Sequence, residues 1–137
     1  MYKYVKIRKG LNIKLLGEAE RVFIDAAPSE TYSIKPPDFI NIRPKLLVNT
    51  GDEVKAGTPL FYDKDCEDVL FTSPVSGEVV GINRGEKRRI LEVKILADKD
   101  ISYKPFRKVN PNDISREKII DTMLKSGVWP LLRQRPF

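Results

Sequence analysis

The chain has 137 residues, of which 41% are hydrophobic and 32% charged, enough for one compact domain or one domain with a short appendage. Its 25 Lys and Arg against 19 Asp and Glu leave a net charge of +6, compatible with nucleic acid, an anionic membrane surface or an acidic protein partner. The absence of histidine removes the commonest general base and metal ligand, and a single cysteine excludes an intramolecular disulfide framework and makes a cytosolic setting the default.

At the start, Met1-Tyr2-Lys3-Tyr4-Val5-Lys6 carries charges inside its apolar stretch, so it does not read as a signal peptide. No window reaches the run of about 20 apolar residues that a membrane helix requires. Alternation over residues 2–7 predicts an edge strand ended by Gly10. Leu11–Leu15 alternates cleanly up to Gly17, and Arg21–Ile24 reads as a further short strand. Pro28, Pro36 and Pro37 predict a loop from Ala26 to Asp38. Phe39–Val48 is the first strongly apolar run, and Pro44 within it predicts two kinked pieces or an edge strand.

The stretch Thr50–Phe61 and its echo Thr72–Val79 are the most informative part of the sequence. Gly51 and Gly57 stand where the chain must reverse, and Pro59 opens a strand running to Tyr62. Asp63–Asp68 reads as a charged turn and Val69–Thr72 as the returning strand. Pro74 and Gly77 repeat the turn before a strand over Glu78–Ile82. Asn83–Lys87 forms a hairpin turn, and Arg89–Leu96 closes the unit with Leu91, Val93 and Ile95 on one face and Glu92 and Lys94 toward water. Turn-and-strand pairs of this kind close a small β sandwich.

Beyond Asp98 the character changes. A linker carries Pro105 and Pro111, and a helix follows, capped by Ser115, striped by Ile119, Ile120, Met123 and Leu124, and ended at Gly127. One short helix with so narrow a stripe needs a surface to pack on. The segment Val128–Phe137 stops without a terminal element, so the chain reads as the front end of a longer protein.

Four features bear on chemistry. Lys64 lies in a charged turn between strands, where carrier domains bear biotin or lipoate. The carrier lysine stands about eight residues before the proline matching Pro74, and that position holds Cys66, so Lys64 reads as a solvated turn residue. Cys66 is flanked by Asp65, Glu67 and Asp68, which raise a thiol's pKa, and without histidine it reads as inert and as no zinc ligand. Arg84, Lys87, Arg88 and Arg89 cluster around Gly85 and predict either a docking or anion contact or a hydrated hairpin tip. No aromatic residues interleave with them, which argues against a base-stacking platform. Gly81–Glu86 lacks the spacing of a phosphate loop and leads into a strand, and no isolated carboxylate pair offers acid–base catalysis.

Several ordered motifs carry a resemblance. They are Ile7–Leu11, Arg43-Pro44-Lys45-Leu46-Leu47-Val48, Gly51-Asp52 through Gly57-x-Pro59-Leu60-Phe61 to Lys64, Ser73-Pro74 through Gly77 to Arg88, and Ser126-Gly127-x-Trp129-Pro130 through Arg133 to Phe137. Together they resemble the amino-terminal part of the A subunit of the sodium-translocating NADH:quinone reductase, from about Ile7 to Phe137. The resemblance implies a mainly β fold, a biotinyl/lipoyl-like barrel-sandwich hybrid with a short C-terminal helical appendage. It implies N-terminal strands and a Pro-rich loop over 1–38, the sandwich over 39–98, and a linker and helix over 99–137 leading into a further domain.

By the same resemblance, the chain is part of a peripheral subunit on the cytoplasmic face of the bacterial inner membrane. The complex oxidises NADH, reduces quinone and exports sodium. NADH, flavins, iron–sulfur centres and quinone are expected at the level of the complex, with no cofactor, metal or catalytic residue in this stretch. Its partners are expected to be the other subunits, chiefly the quinone-site membrane subunit, with no nucleic acid and no stable homo-oligomer. The C subunit of the related ferredoxin:NAD-linked ion pump and an unmodified lipoyl-like carrier-type module are the alternatives.

Overall fold

The computed structural model describes residues 6, 16–106, 108, 110 and 113–132. Its strands are β1 (Thr31–Ile34), β2 (Pro44–Leu46), β3 (Glu53–Val54), β4 (Pro59–Asp63), β5 (Cys66–Thr72), β6 (Gly77–Arg84) and β7 (Ile90–Ala97), and its helix is α1 (Arg116–Lys125). They form a four-stranded sheet in the order β1-β7-β6-β3 and a three-stranded sheet in the order β2-β4-β5, with every pairing antiparallel. Apolar side chains at alternate positions explain the layering. Val79, Val93 and Ile95 point from the first sheet, and Phe61 and Phe71 from the second, into one shared core, which Leu60 joins at the register shift between Pro59 and Phe61. Phe71 stacks on Phe61 at 4.7 Å and meets Phe39 edge-on at 4.6 Å, so three aromatic rings fill the middle of the second sheet's inner face. The mainly β sandwich with one C-terminal helix is as expected.

The two glycine motifs are joined directly. Gly57 N–H donates to the Ser73 carbonyl at 2.8 Å, and Ser73 N–H donates to the Thr58 carbonyl at 2.8 Å. Gly51 and Gly57 turn with φ of +94° and +93°. Ser76 is fully buried because its hydroxyl accepts the Ser102 N–H at 2.8 Å, and Ala56 exchanges hydrogen bonds with Ser102 and Lys104. The linker after Asp98 is thereby strapped across the turn that organises the sandwich.

Several sequence expectations are corrected. Arg21–Ile24 forms no strand; Val22, Phe23 and Ile24 are exposed, and among the described residues no partner strand accepts their backbone groups. The expected loop Ala26–Asp38 contains β1, whose Thr31, Tyr32 and Ile34 suit an edge on β7, with Pro28 and Pro36 bracketing the strand instead of interrupting it. Of the two readings of Phe39–Val48 the edge strand holds: the run contributes β2, headed by Pro44. The charged turn is shorter than Asp63–Asp68: only Lys64 and Asp65 separate β4 from β5. Leu91 faces outward, 40% exposed, and Ile90 takes the inward place. A bulge causes this: Asn83 pairs with Glu92 and Arg84 with Ile90, leaving Leu91 unpaired. The expected strands over residues 2–7 and 11–15 lie outside the described residues.

Glu92 shows how the first sheet's outer face is tied. Its carboxylate accepts from Ser33 of β1 and, at 2.7 Å, from Asn83 of β6, and these hydrogen bonds hold it below the ordinary carboxylate range. A depressed folded-state pKa contributes stability above the unfolded-state value, lost as pH falls through the folded-state value. Glu92→Gln is therefore expected to lower the melting temperature modestly at pH 7 and to flatten the acid limb below about pH 4, so that the two profiles converge at low pH. An unaltered acid limb would contradict this link.

The helix stripe finds its surface on the outer side of β5. Ser115 caps α1 by accepting from Lys118 N–H, and Ile120 and Leu124 line a cavity with Leu70 of β5. Gly127 ends the helix at φ +72°, and a Cβ there would stand 2.5 Å from the Thr72 methyl. Gly127→Ala is expected to loosen α1 from the sandwich, seen as faster amide exchange across Arg116–Lys125 with β6 and β7 unchanged.

Candidate functional site

The β6–β7 tip and the β2 edge enclose a cleft of 620 Å³. Arg84 ends β6, and a turn from Gly85 to Arg89 follows, closed by Gly85 N–H to the Arg89 carbonyl at 2.8 Å. Within it Lys87 and Arg88 take φ of +52° and +62°, successive left-handed conformations that glycine or asparagine adopts far more readily. Arg84, Lys87, Arg88 and Arg89, the four clustered cations of the sequence, all line the cleft. From the other sheet come Arg43, Lys45 and Lys64, which the sequence reading did not connect with them. No local signal joins Arg43 to Arg84; only the packing of the two sheets does. Ile42, Pro44, Leu46 and Ile90 form the apolar wall.

Among the described residues no carboxylate lines the cleft. Asp65 lies beside it and grips Arg43 through two hydrogen bonds, that to Nε at 2.7 Å, which hold its carboxyl below the ordinary range and the guanidinium above its own. Asp63, buried at the end of β4, accepts from the Arg43 and Asp65 backbone N–H groups and fixes this corner. The Tyr62 side chain, by hydrogen bonding first and charge second, raises the Lys45 ammonium above the usual lysine value. Among the described residues, Lys45, Lys64, Arg84, Lys87, Arg88 and Arg89 have no carboxylate within salt-bridge distance.

Lys64 occupies the β4–β5 tip itself, and Cys66 opens β5 opposite Asp63. Eight residues back from Pro74 stands Cys66, whereas the tip is formed by Lys64 and Asp65; the register shift between Tyr62 and Asp63 adds residues on the β5 side of the hairpin. Cys66 is exposed among acidic neighbours, and no group of three metal-ligating side chains occurs among the described residues. An apolar groove of 380 Å³ lies beside β5 of the same three-stranded sheet, lined by Trp129, Pro130, Phe39, Ile40 and Phe71.

The described sandwich and its cleft fall within residues 5–98, which match the family model of the NqrA N-terminal barrel-sandwich hybrid domain. The chain belongs to this family. As an NqrA N-terminal domain it has two antiparallel sheets around one core, in keeping with the barrel-sandwich hybrid that the family description names and with the expected biotinyl/lipoyl-like fold. It is 37% identical over 134 residues to the A subunit of the Na(+)-translocating NADH-quinone reductase of Marinomonas sp. (strain MWYL1). It is 34% identical over 135 residues to the same subunit of Photorhabdus laumondii and 36% identical over 135 residues to that of Neisseria meningitidis. These alignments cover 96%, 97% and 97% of this chain and 30% of each relative. The chain thus spans about a third of the length of the curated relatives it matches, and the similarity continues through the linker and helix beyond the NqrA N-terminal domain proper. Among the described residues no helix is long and apolar enough to cross a membrane.

Proposed function

We propose that this chain is the amino-terminal assembly module of the A subunit of a sodium-translocating NADH:quinone reductase. The observation that carries the reading is the alignment of 96–97% of the chain with relatives bearing that name. In this reading the complex oxidises NADH, reduces quinone and exports sodium, while the module holds the longer protein at the cytoplasmic face of the membrane. Its chief partner is the quinone-site membrane subunit. Flavins and iron–sulfur centres belong to other subunits, in keeping with a sequence that has one cysteine and no histidine to ligate them. The module contributes a rigid, interlocked sandwich and no reacting group. The test is affinity capture of the tagged full-length protein from detergent-solubilised membranes. Recovery of the membrane subunit with the intact protein, and its loss when this module is deleted, is the expected result; equal recovery with and without the module would refute the assembly role.

A second reading, a carrier-type module, is favoured by one observation, the position of Lys64 at the β4–β5 tip. Intact mass of the protein from its native host decides it: an added biotinyl or lipoyl mass on Lys64 would establish the carrier, and the unmodified mass removes it.

A further inference from the structure

Seven cations from two sheets converge on one concave space, and among the described residues only Arg43 of the seven has a carboxylate partner. Like charges gathered this closely repel, and an apolar wall of Ile42, Pro44, Leu46 and Ile90 intensifies their field. A tip free of function would disperse them. The backbone points the same way: the left-handed positions 87 and 88 carry lysine and arginine, although glycine would relieve both. Strain retained at a turn that presents two cations is the pattern of a binding loop. The volume, 620 Å³, lies in the small-ligand range of about 300–1,000 Å³.

We propose that this cleft binds an anion carrying two or more phosphate groups, held by Lys45, Lys64, Arg84, Lys87, Arg88 and Arg89. A phosphate monoester brings about −1.5 to −2 charge at pH 7 and a diester less, so one group leaves most of the six cations uncompensated and each further phosphate compensates a larger share of them. The three arginines supply planar forks suited to phosphate oxygens, and the lysines add point charges. The ligand is either a free polyphosphate compound or the headgroup of a lipid bearing two phosphates. The assignment stands apart from the assembly role, since it concerns only residues of this chain.

Calorimetric titration of the purified chain at low salt tests it, with pyrophosphate and orthophosphate as probes. Pyrophosphate is expected to bind saturably at one site, roughly tenfold or more tighter than orthophosphate, and to weaken as salt rises. The double variant Lys87→Gly, Arg88→Gly removes two cations while giving glycine to the two left-handed positions. Its melting temperature is expected to be unchanged or higher, and pyrophosphate affinity to fall about tenfold or more. Lys118→Ala, on α1 and outside the cleft, is expected to alter affinity by less than about twofold.

Flotation with phosphatidylcholine vesicles, with and without about 20 mol% cardiolipin, separates the sources. Cardiolipin-dependent flotation competed by pyrophosphate assigns the site to a lipid headgroup; pyrophosphate binding without flotation assigns it to a free compound. The proposal is overturned if neither probe binds, if orthophosphate binds as tightly as pyrophosphate, or if Lys118→Ala loses as much as the glycine variant. Displacement of pyrophosphate by poly-glutamate at equal charge concentration would overturn it in favour of an acidic protein segment.

Discussion

Gly77→Ala is expected to destabilise the domain by roughly 3–5 kcal/mol, a large share of the 5–15 kcal/mol that holds a typical domain folded. Gly77 opens β6 where three strands meet, pairing with Val54 of β3 and Ala97 of β7. Its φ is +143°, and a Cβ would lie 1.8 Å from the Leu96 carbonyl oxygen and 3.1 Å from the Asp98 nitrogen. Those atoms are backbone, so no rotamer change can make room; the strand must shift, and with it the register that buries Val79 and Ile95. Gly81→Ala is the control. That residue lies four positions along the same strand, has nothing within 4 Å of its would-be Cβ, and should change stability by no more than about 0.5 kcal/mol. Chemical denaturation of the two variants side by side checks the contrast.

Phe61→Ala is the second large effect, at about 3–5 kcal/mol. The ring is fully buried and lies parallel to Phe71, with an interplanar angle of 13°. Removing it strips contacts from the core cluster and leaves a cavity between the sheets that Phe71 and Leu60 cannot collapse to fill, since Phe71 is held by strand pairing and the Leu60 carbonyl accepts the Leu47 N–H at 2.9 Å. Phe61→Leu, which keeps most of the volume, is expected to cost less than about half as much. A variant series in which alanine and leucine behave alike would place the core elsewhere.

Much of this fold is legible in the sequence because its causes are local. Gly51, Gly57 and Gly77 mark reversals that side chains disfavour, Ser115 announces a helix start, and alternation in Val93 and Ile95 identifies a half-buried strand. What escapes a sequence reading depends on distant partners. β1 exists only because β7 offers an edge, and nothing within Thr31–Ile34 says so against three flanking prolines. The outward turn of Leu91 follows from a bulge that one strand's sequence cannot reveal. The site divides in the same manner. Arg84, Lys87, Arg88 and Arg89 stand together in the chain and are visible there, whereas Arg43, Lys45 and Lys64 reach the cleft only through sheet packing. The place of Lys64 at its hairpin tip is lost to counting, because bulges change the number of residues between two equivalent points.

Turnover per assembled complex most directly tests the proposed assembly role of this module. The full-length protein with Gly77→Ala would be expressed with its partner subunits, the assembled complex quantified by native electrophoresis, and NADH:quinone reductase activity divided by that amount. Severalfold less assembled complex, with turnover per complex within about twofold of the wild type, is the expected result. A normal amount of complex with turnover reduced tenfold or more would contradict it.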